Sequence, residues 1–250
     1  MDVFDLTLHD ARFVRLADTL NMRDLGGLPL VGGGTTRTGR LLRSDAPLRL
    51  PPADHATLAR LGLRTVIDLR QGHELEREPS ALAGRPDVTV HHVELWTLVD
   101  ASGEVPDDPW SITGFYLSLL DHAGPGFAAS ARLLADAEGA ALFHCTAGKD
   151  RTGMVALLLL DLAGVARDAV VADFALTDAR IEPIRARLLE DAERRGIARG
   201  DFARLLGASP DLIVPALEHL DRRYGGAEAY LRRHGASDAT LARLRDKLVA

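Results

Sequence analysis

One loop constrains the fold of this chain more than any other feature. Residues 144–153 read His-Cys-Thr-Ala-Gly-Lys-Asp-Arg-Thr-Gly. The apolar run 140–143 before the loop indicates a short buried strand, and the apolar run 154–160 after it indicates the body of a helix. At such a junction, unpaired backbone N–H groups converge with the positive end of the helix dipole. The pattern therefore predicts a strand, an anion-binding loop and a helix N-terminus in succession.

Two side chains give this loop a chemical interpretation. Cys145 is the only cysteine of the chain, and the reactive form of a cysteine nucleophile is the thiolate, which a helix N-terminus stabilises. Arg151 offers a planar fork that can bind two phosphoryl oxygens at once, as a lysine cannot. His144 would orient the loop and tune the thiol. The pattern Cys-x5-Arg-Thr-Gly predicts a phosphate-binding loop in which Cys145 is the nucleophile.

The other loop residues are predicted to bind substrate. The N–H groups of residues 146–153 would surround the phosphoryl oxygens. Glycines suit a backbone that approaches an anion closely or needs unusual dihedral angles. The Thr152 hydroxyl is placed to stabilise the Cys145 sulfur when that sulfur becomes a leaving group. The predicted substrate-binding residues are Thr146, Ala147, Gly148, Lys149, Thr152 and Gly153.

Lys149 is the loop residue whose type is unexpected. Of the chain's 30 basic residues, only Lys149 and Lys247 are lysines. A slim, flexible ammonium inside the phosphate loop would reach a second anionic group of the substrate. The alternative is that a lysine stands there by chance, and the sequence leaves both interpretations open.

Three other interpretations of the loop stay open. A lone cysteine between a strand and a helix is often a small buried hydrophobe. A thiol-redox or sulfur-transfer protein is the second alternative, and a phosphate-binding module without catalysis is the third. A buried or redox cysteine needs neither Arg151 nor the Thr-Gly that follows, and the chain has no second cysteine to resolve an oxidised one. The intact Cys145, Arg151 and Thr152 disfavour a silent module.

The composition excludes several classes of protein. A net charge of −6 disfavours general nucleic-acid binding, which needs a basic face. The longest apolar run, 154–160, is far shorter than the roughly 20 residues that span a bilayer, so no stable membrane insertion is expected. A single cysteine rules out an internal disulfide and suits a reducing cytoplasm. No signal-peptide pattern is visible, so we expect a soluble, cytoplasmic protein, with export by another route left open.

Alternating strand and helix patterns predict an α/β fold. Strands are predicted near residues 12–16, 41–44, 65–69, 88–95 and 140–144, and helices at about 51–61, 113–122 and 126–138. Strands separated by helices favour a central, mostly parallel sheet flanked by helices, with the loop at the carboxyl end of its strand. The polar residues 96–110 are predicted to form a mobile loop over the site.

The last third of the chain is helical in pattern. Helices are predicted at residues 167–176, 182–195, 202–206, 211–224, 227–234 and 237–248. Residues 181–210 are the least tied to the predicted sheet, and they form either a helical lid above the loop or helices packed on the core. Residues 211–250 are expected to pack on the core, which gives a single domain over residues 1–250.

The loop and several other segments together resemble one family. The loop residues Ala-Gly-Lys-Asp-Arg-Thr-Gly are the specific part, and the supporting segments are residues 21–27, 39–44, 66–70, 224–226 and the region of 230–231. With these segments the chain resembles the atypical bacterial protein tyrosine phosphatases, a family with mycobacterial members. The resemblance implies the phosphatase fold, a phosphocysteine intermediate, a phosphotyrosine protein as substrate, a phosphate ion in the loop, and neither metal nor cofactor.

The resemblance also implies an alternative substrate. Loops with a lysine and an aspartate at the places of Lys149 and Asp150 are similar to those of lipid phosphatases. A phosphoinositide or dual-specificity phosphatase is therefore the nearest rival, and it predicts a basic rim beyond Lys149.

The general acid is open between two aspartates. A leaving group is protonated by a carboxylic acid within hydrogen-bond reach. The Trp-Pro-Asp triplet of many tyrosine phosphatases is absent, and residues 107–110, Asp-Asp-Pro-Trp, hold similar letters in the wrong order. The resemblance points to Asp68 as the catalytic acid, with a salt bridge to a loop arginine as its alternative role. The loop itself offers Asp150, for acid catalysis or for substrate positioning.

Overall fold

A five-stranded sheet forms the centre of the protein in a computed structural model, which describes residues 11–100, 102, 108 and 110–249. Its strands are β1 (Arg23–Asp24), β2 (Leu41–Ser44), β3 (Leu63–Asp68), β4 (Thr89–His92) and β5 (Ala140–His144). The spatial order is β1-β2-β5-β3-β4, with β1 antiparallel to β2 and all other neighbours parallel. The prediction of a mostly parallel α/β sheet is confirmed.

The carboxyl ends of the four parallel strands lie side by side. The register pairs Ser44 with His144, His144 with Asp68, and Asp68 with His92. The loops that follow β2, β3 and β5 therefore all leave the sheet at the carboxyl-terminal ends of the strands, where ligands bind in open α/β folds.

Helices flank this sheet and make up most of the C-terminal part. They are α1 (Pro52–Arg60), α2 (Gly72–Arg77), α3 (Trp96–Asp100), α4 (Ile112–His122), α5 (Gly124–Asp136), α6 (Asp150–Leu162), α7 (Arg167–Arg194), α8 (Arg199–Arg204), α9 (Pro210–His219), α10 (Ala227–Arg233) and α11 (Asp238–Leu248). A π-helical turn, Leu220–Tyr224, joins α9 to the following segment. None of the described helices is long and apolar enough to cross a membrane.

Each face of the sheet is covered by its own hydrophobic core. Side chains alternate between the two faces along a strand. Phe143 of β5 therefore joins the larger core with the C-terminal helices, whereas Leu142 joins the smaller core against Leu58 of α1. Helix α6 is buried along nearly its whole length, which explains why its sequence is apolar on all sides. The helix that begins at the loop is thus held rigidly in the core.

The C-terminal helices differ from the prediction in one respect. The prediction of two separate helices at 167–176 and 182–195 is wrong, because α7 runs without a break through Pro183. A proline removes one helical hydrogen bond, but Ile181 and Leu189 are buried on either side of it and hold both halves in place.

Two further predictions also differ. The prediction of a strand at residues 12–16 is wrong. β1 is only two residues long, and Phe13 forms no more than an isolated antiparallel bridge to Arg23. Of the predicted mobile loop 96–110, residues 96–100 form α3, and residues 101, 103–107 and 109 lie outside the described part of the chain.

Candidate active site

The loop between β5 and α6 presents a row of free backbone donors. Residues 145–149 connect the strand to Asp150, the first residue of α6. Within the described residues, no backbone N–H group from 146 to 152 donates a hydrogen bond to a protein acceptor. Unpaired N–H groups at the start of a helix are satisfied by a bound anion. The loop therefore has the donor set of an anion site.

Two side chains behind the loop fix the direction of these donors. Asn21 Nδ2 donates to the carbonyl oxygens of Ala147 and Gly148, both at 3.1 Å, and Arg43 Nη2 donates to Gly148 O at 2.8 Å. In a planar trans peptide the N–H points opposite to the C=O. The N–H groups of Gly148 and Lys149 are therefore turned away from Asn21 and Arg43.

Two glycines of this segment lie close to other parts of the protein. Gly148 has a φ of 66°, and a Cβ there would lie 2.5 Å from the backbone of Ser44 and Asp45. This loop position thus excludes any side chain. Gly153 lies against the ring of Phe174, which a Cβ would approach to 3.3 Å.

Behind Asn21 and Arg43 lies a buried charge cluster that the sequence did not suggest. The carboxylate of Asp173, in α7, is 2.8 Å from Arg12 Nη1, 3.1 Å from Arg23 Nε and 2.8 Å from Arg43 Nη1. Burial alone would raise the pKa of Asp173, but the three guanidinium groups outweigh it and hold that pKa well below its ordinary value. Arg23 also donates to Asn21 Oδ1. The cluster therefore links α7 to the back of the loop.

Glu74 is a second site residue that sequence reasoning missed. Its carboxylate accepts two parallel hydrogen bonds from Arg151, at 2.6 Å from Nη1 and 3.1 Å from Nη2, and a further one from Thr146 Oγ1. Burial would raise the pKa of Glu74, but Arg151 and Thr146 lower it to about 2. Arg151 Nη1 also donates to Leu69 O at 3.3 Å and Nη2 to Thr146 Oγ1 at 3.4 Å, whereas the Nε–H has no acceptor among the described residues. Glu74 therefore holds the two Nη groups and leaves the Nε–H available.

The predicted nucleophile lies at the start of this arrangement. Cys145 is 2% exposed and lines the pocket described below. Burial would lower the pKa of Arg151, but its interactions with Cys145, Glu74 and Asp150 outweigh burial and raise that pKa above its ordinary value. Thr152 is fully buried, and its hydroxyl has no hydrogen-bond partner in the described part of the chain. That hydroxyl is an unused donor in the first turn of α6.

Asp68 is the last residue of β3, at the carboxyl-terminal end of the sheet. It is 1% exposed, and Arg70 donates to both of its oxygens, with Nη2 at 2.6 Å from Oδ2 and Nε at 2.9 Å from Oδ1. Burial would raise the pKa of Asp68, but hydrogen bonds from Arg70 and the nearby His144 outweigh it and lower that pKa. The arginine that pairs with Asp68 is therefore Arg70 and not the loop residue Arg151.

Asp150, in contrast, lines the pocket. Its side chain is 28% exposed, and Oδ1 accepts a hydrogen bond of 2.7 Å from the buried Tyr116 hydroxyl. Burial first, and then the charge of Asp150, raise the pKa of Tyr116 well above its ordinary value, so the phenol stays a donor. Tyr116 therefore fixes one oxygen of Asp150 at the pocket wall.

Lys149 is engaged by the protein itself. The ammonium group donates to the carbonyl oxygens of Leu205 and Gly207 and lies 3.2 Å from Asp150 Oδ1. Only 2% of Lys149 is exposed. Its ammonium group therefore has no free donor for the expected contact to a second anionic group of the substrate.

A pocket of about 610 Å³ opens above the loop. Of the predicted site residues, it brings together Cys145, Thr146, Ala147, Lys149, Asp150 and Arg151, whereas Asp68, Gly148, Thr152 and Gly153 do not line it. Its walls combine charged side chains with apolar ones, and the apolar ones include Trp96, Phe115, Ile181, Phe202, Leu205 and Leu206. The described residues hold no group of three or more His, Cys, Asp or Glu that could bind a metal ion.

The chain is similar to known proteins over most of its length. A family model described as "Tyrosine phosphatase family" matches residues 14–250. A tyrosine-protein phosphatase of Nostoc commune is 34% identical, over 80% of this chain and 71% of that protein. A putative tyrosine-protein phosphatase of Cupriavidus necator is 33% identical, over 97% and 89%. The triple specificity protein phosphatase PtpB of Mycobacterium tuberculosis is 31% identical, over 85% and 92%.

Proposed function

Since the chain belongs to the tyrosine phosphatase family, we propose that it hydrolyses phosphotyrosine in proteins through a phosphocysteine intermediate on Cys145. The row of free N–H groups from 146 to 152 beside Cys145 is the observation that carries the proposal. Such a row of N–H groups would donate hydrogen bonds to the oxygens of a dianion, and Cys145 at the start of the loop would supply the nucleophile. The single reduced cysteine also fits action in a reducing cytoplasm.

In the first step the Cys145 sulfur attacks phosphorus and the phosphorus–phenolate bond breaks. The loop N–H groups and the Nε–H of Arg151 would bind the three equatorial oxygens, whose charge is spread in the transition state. Glu74 supports this by holding the two Nη groups of the guanidinium at 2.6 Å and 3.1 Å. Donors that are oriented in advance lower a barrier because they need not reorganise during the step.

In the second step water attacks the phosphocysteine, and the sulfur leaves as a thiolate. The unpartnered Thr152 hydroxyl would donate to that sulfur. We propose Asp150 as the group that protonates the phenolate and then accepts a proton from water, because it lines the pocket. Asp68 would instead fix Arg70 at the sheet edge, since both its oxygens already accept hydrogen bonds from Arg70.

Leaving-group dependence tests this choice of acid. Phenyl phosphate needs its leaving oxygen protonated, whereas p-nitrophenyl phosphate does not. Asp150→Asn is expected to lower kcat on phenyl phosphate by about 10²–10⁴-fold, the usual effect of a general acid, with a much smaller loss on p-nitrophenyl phosphate. Asp68→Asn is the matched control and should affect both substrates equally. If Asp68→Asn is the variant with the selective loss, Asp68 is the acid.

The apolar side chains in the pocket walls favour an aromatic phosphoester. Trp96 and Phe115 lie with their ring centroids 4.5 Å apart, and both line the pocket with Phe202. A phenyl ring that packs against such side chains buries apolar area, whereas phosphoserine has no ring to bury. We therefore expect phosphotyrosine to be preferred over phosphoserine.

A phosphoinositide or dual-specificity phosphatase is the second candidate. Exposed arginines, among them Arg77, Arg187 and Arg195, line the pocket together with the acidic Glu78 and Asp191. These arginines would suit an inositol lipid. The similar mycobacterial protein carries "triple specificity" in its name. The engagement of Lys149 by carbonyl oxygens disfavours this candidate, because the loop then offers no free ammonium.

Phosphate release from three substrates in parallel tests the proposed function. We expect a phosphotyrosine peptide to turn over faster than a phosphoserine peptide or phosphoinositide vesicles, and Cys145→Ser to abolish release from all three. Faster release from the vesicles would make the second candidate the function. Binding of phosphate without turnover of any substrate would leave a silent phosphate-binding module.

A further inference from the structure

The other lysine of the chain, Lys247, donates hydrogen bonds to backbone carbonyl groups at the end of a helix. Lys247, in α11, donates from Nζ to the carbonyl oxygens of Leu134, at 2.9 Å, and Ala137. These carbonyls lie at the carboxyl end of α5. The last carbonyl groups of a helix have no donor within the helix and carry partial negative charge, so an ammonium group stabilises them.

Lys149 makes a similar contact at the active site. Its ammonium group donates to the carbonyl oxygen of Leu205, the residue after the last residue of α8, and to that of Gly207, two residues further on, at 3.0 Å. From this shared pattern we propose that Lys149 is a positioning residue that fixes residues 205–207 above the catalytic pocket, and that it does not bind substrate. The proposal concerns the same site as the proposed phosphatase function and rests on it only for the kinetic readout.

The contact explains why a chain that otherwise uses arginine has a lysine here. Lys149 is 2% exposed, so its charge must be satisfied within a small space. A compact ammonium offers three donors in different directions. Two donors meet the carbonyl oxygens, and Asp150 Oδ1 lies 3.2 Å away for the third. The planar fork of an arginine is larger and directs its donors into one plane.

The position of residues 205–207 matters because they form one side of the pocket. Leu205 and Leu206 line it together with Phe202 of α8. The same segment is attached to α7 by the N–H of Ala208, which donates to Asp178 Oδ1 at 2.9 Å. Lys149 therefore connects the phosphate-binding loop to the apolar wall that would contact the substrate ring. We expect this wall to be placed correctly only while Lys149 holds it.

Lys149→Met tests the proposal with two measurements. Hydrogen exchange of the backbone amides of residues 203–208 is expected to become faster, because their attachment to the loop is lost. The KM for a phosphotyrosine peptide is expected to rise about tenfold, the effect of losing one hydrogen bond to a charged group, with kcat changed by less than about threefold. The Kd of inorganic phosphate should stay unchanged, since loop N–H groups and Arg151 bind it.

Lys247→Met is the matched control, because it removes the same contact from α5, far from the pocket. It should accelerate exchange near residues 134–137 and leave the KM unchanged. If Lys149→Met does not fold, Lys149→Gln, which keeps one donor group, replaces it. Unchanged exchange at 203–208, or a phosphate Kd that weakens as much as the KM, would overturn the proposal. Exchange and phosphate binding need no turnover, so a failed phosphatase assay would leave these two tests intact.

Discussion

Replacing Asp173 with asparagine is expected to lower the free energy of unfolding by about 3–5 kcal/mol, the range for removing one partner of a buried ion pair. The carboxylate is 1% exposed and is shared by Arg12, Arg23 and Arg43 at 2.8–3.1 Å. Asparagine keeps the shape of the side chain but leaves these buried cations without their shared anion. Because Arg43 also donates to Gly148 O at 2.8 Å, the phosphate-binding loop should loosen together with the fold.

Urea unfolding measures this effect, and the chain supplies its own control. Asp136 pairs with Arg243 at 2.7 Å, but both side chains are about half exposed. Surface pairs contribute only about 0–1 kcal/mol, so Asp136→Asn should shift the unfolding midpoint little. If Asp173→Asn costs no more than this control, the cluster does not hold α7 to the loop.

The pH dependence of the same variant follows from the direction of the pKa shift. The pKa of Asp173 is lower in the folded protein than its ordinary value of 3.8. A carboxylate with a lowered folded pKa stabilises the protein above its unfolded pKa, and the stabilisation is lost as the pH falls through the folded value. The stability difference between the wild type and Asp173→Asn should therefore be constant from pH 7 to about pH 5 and shrink below about pH 4.

The loop could be predicted from the sequence because its information is local. A buried strand, the loop and a buried helix follow one another within residues 140–162, and the spacing of Cys145 and Arg151 predicts a phosphate-binding loop without reference to any long-range contact. The strand at Ala140–His144 is as predicted. The position of Gly148 also follows, although the reason for it, the close approach of the Ser44 backbone, is visible only in the structure.

The supporting residues could not be predicted because they come from distant parts of the chain. Glu74 reaches Arg151 from α2, and Asn21 reaches the loop carbonyls from the segment before β1. These contacts arise from the order of the sheet, in which β5 lies between β2 and β3. Asn21 does belong to a segment that resembles the family, but a resemblance does not tell which atom a side chain contacts.

Arg151→Lys is expected to lower kcat/KM for a phosphotyrosine peptide by about 10²–10³-fold, the loss that follows removal of a donor aimed at transition-state charge. A lysine keeps the charge, but it cannot bind Glu74 with two parallel donors and still present a further fixed donor to the phosphoryl oxygens. Arg77→Lys is the matched control, since Arg77 lies in α2 near Glu74 and its side chain is 56% exposed. It should change kcat/KM by less than about threefold, as expected for an exposed charge.

Glu74→Gln separates the charge of Arg151 from its orientation. Glutamine keeps the shape of the glutamate and one accepting oxygen, but it loses the bidentate pairing that Arg151 makes at 2.6 Å and 3.1 Å. We expect kcat/KM to fall about tenfold, as for one charge-assisted hydrogen bond. Because Arg151 and Thr146 outweigh burial and lower the pKa of Glu74 to about 2, the wild-type pH profile should show no titration of Glu74 between about pH 5 and 8. Full activity of Glu74→Gln would mean that the loop alone orients Arg151.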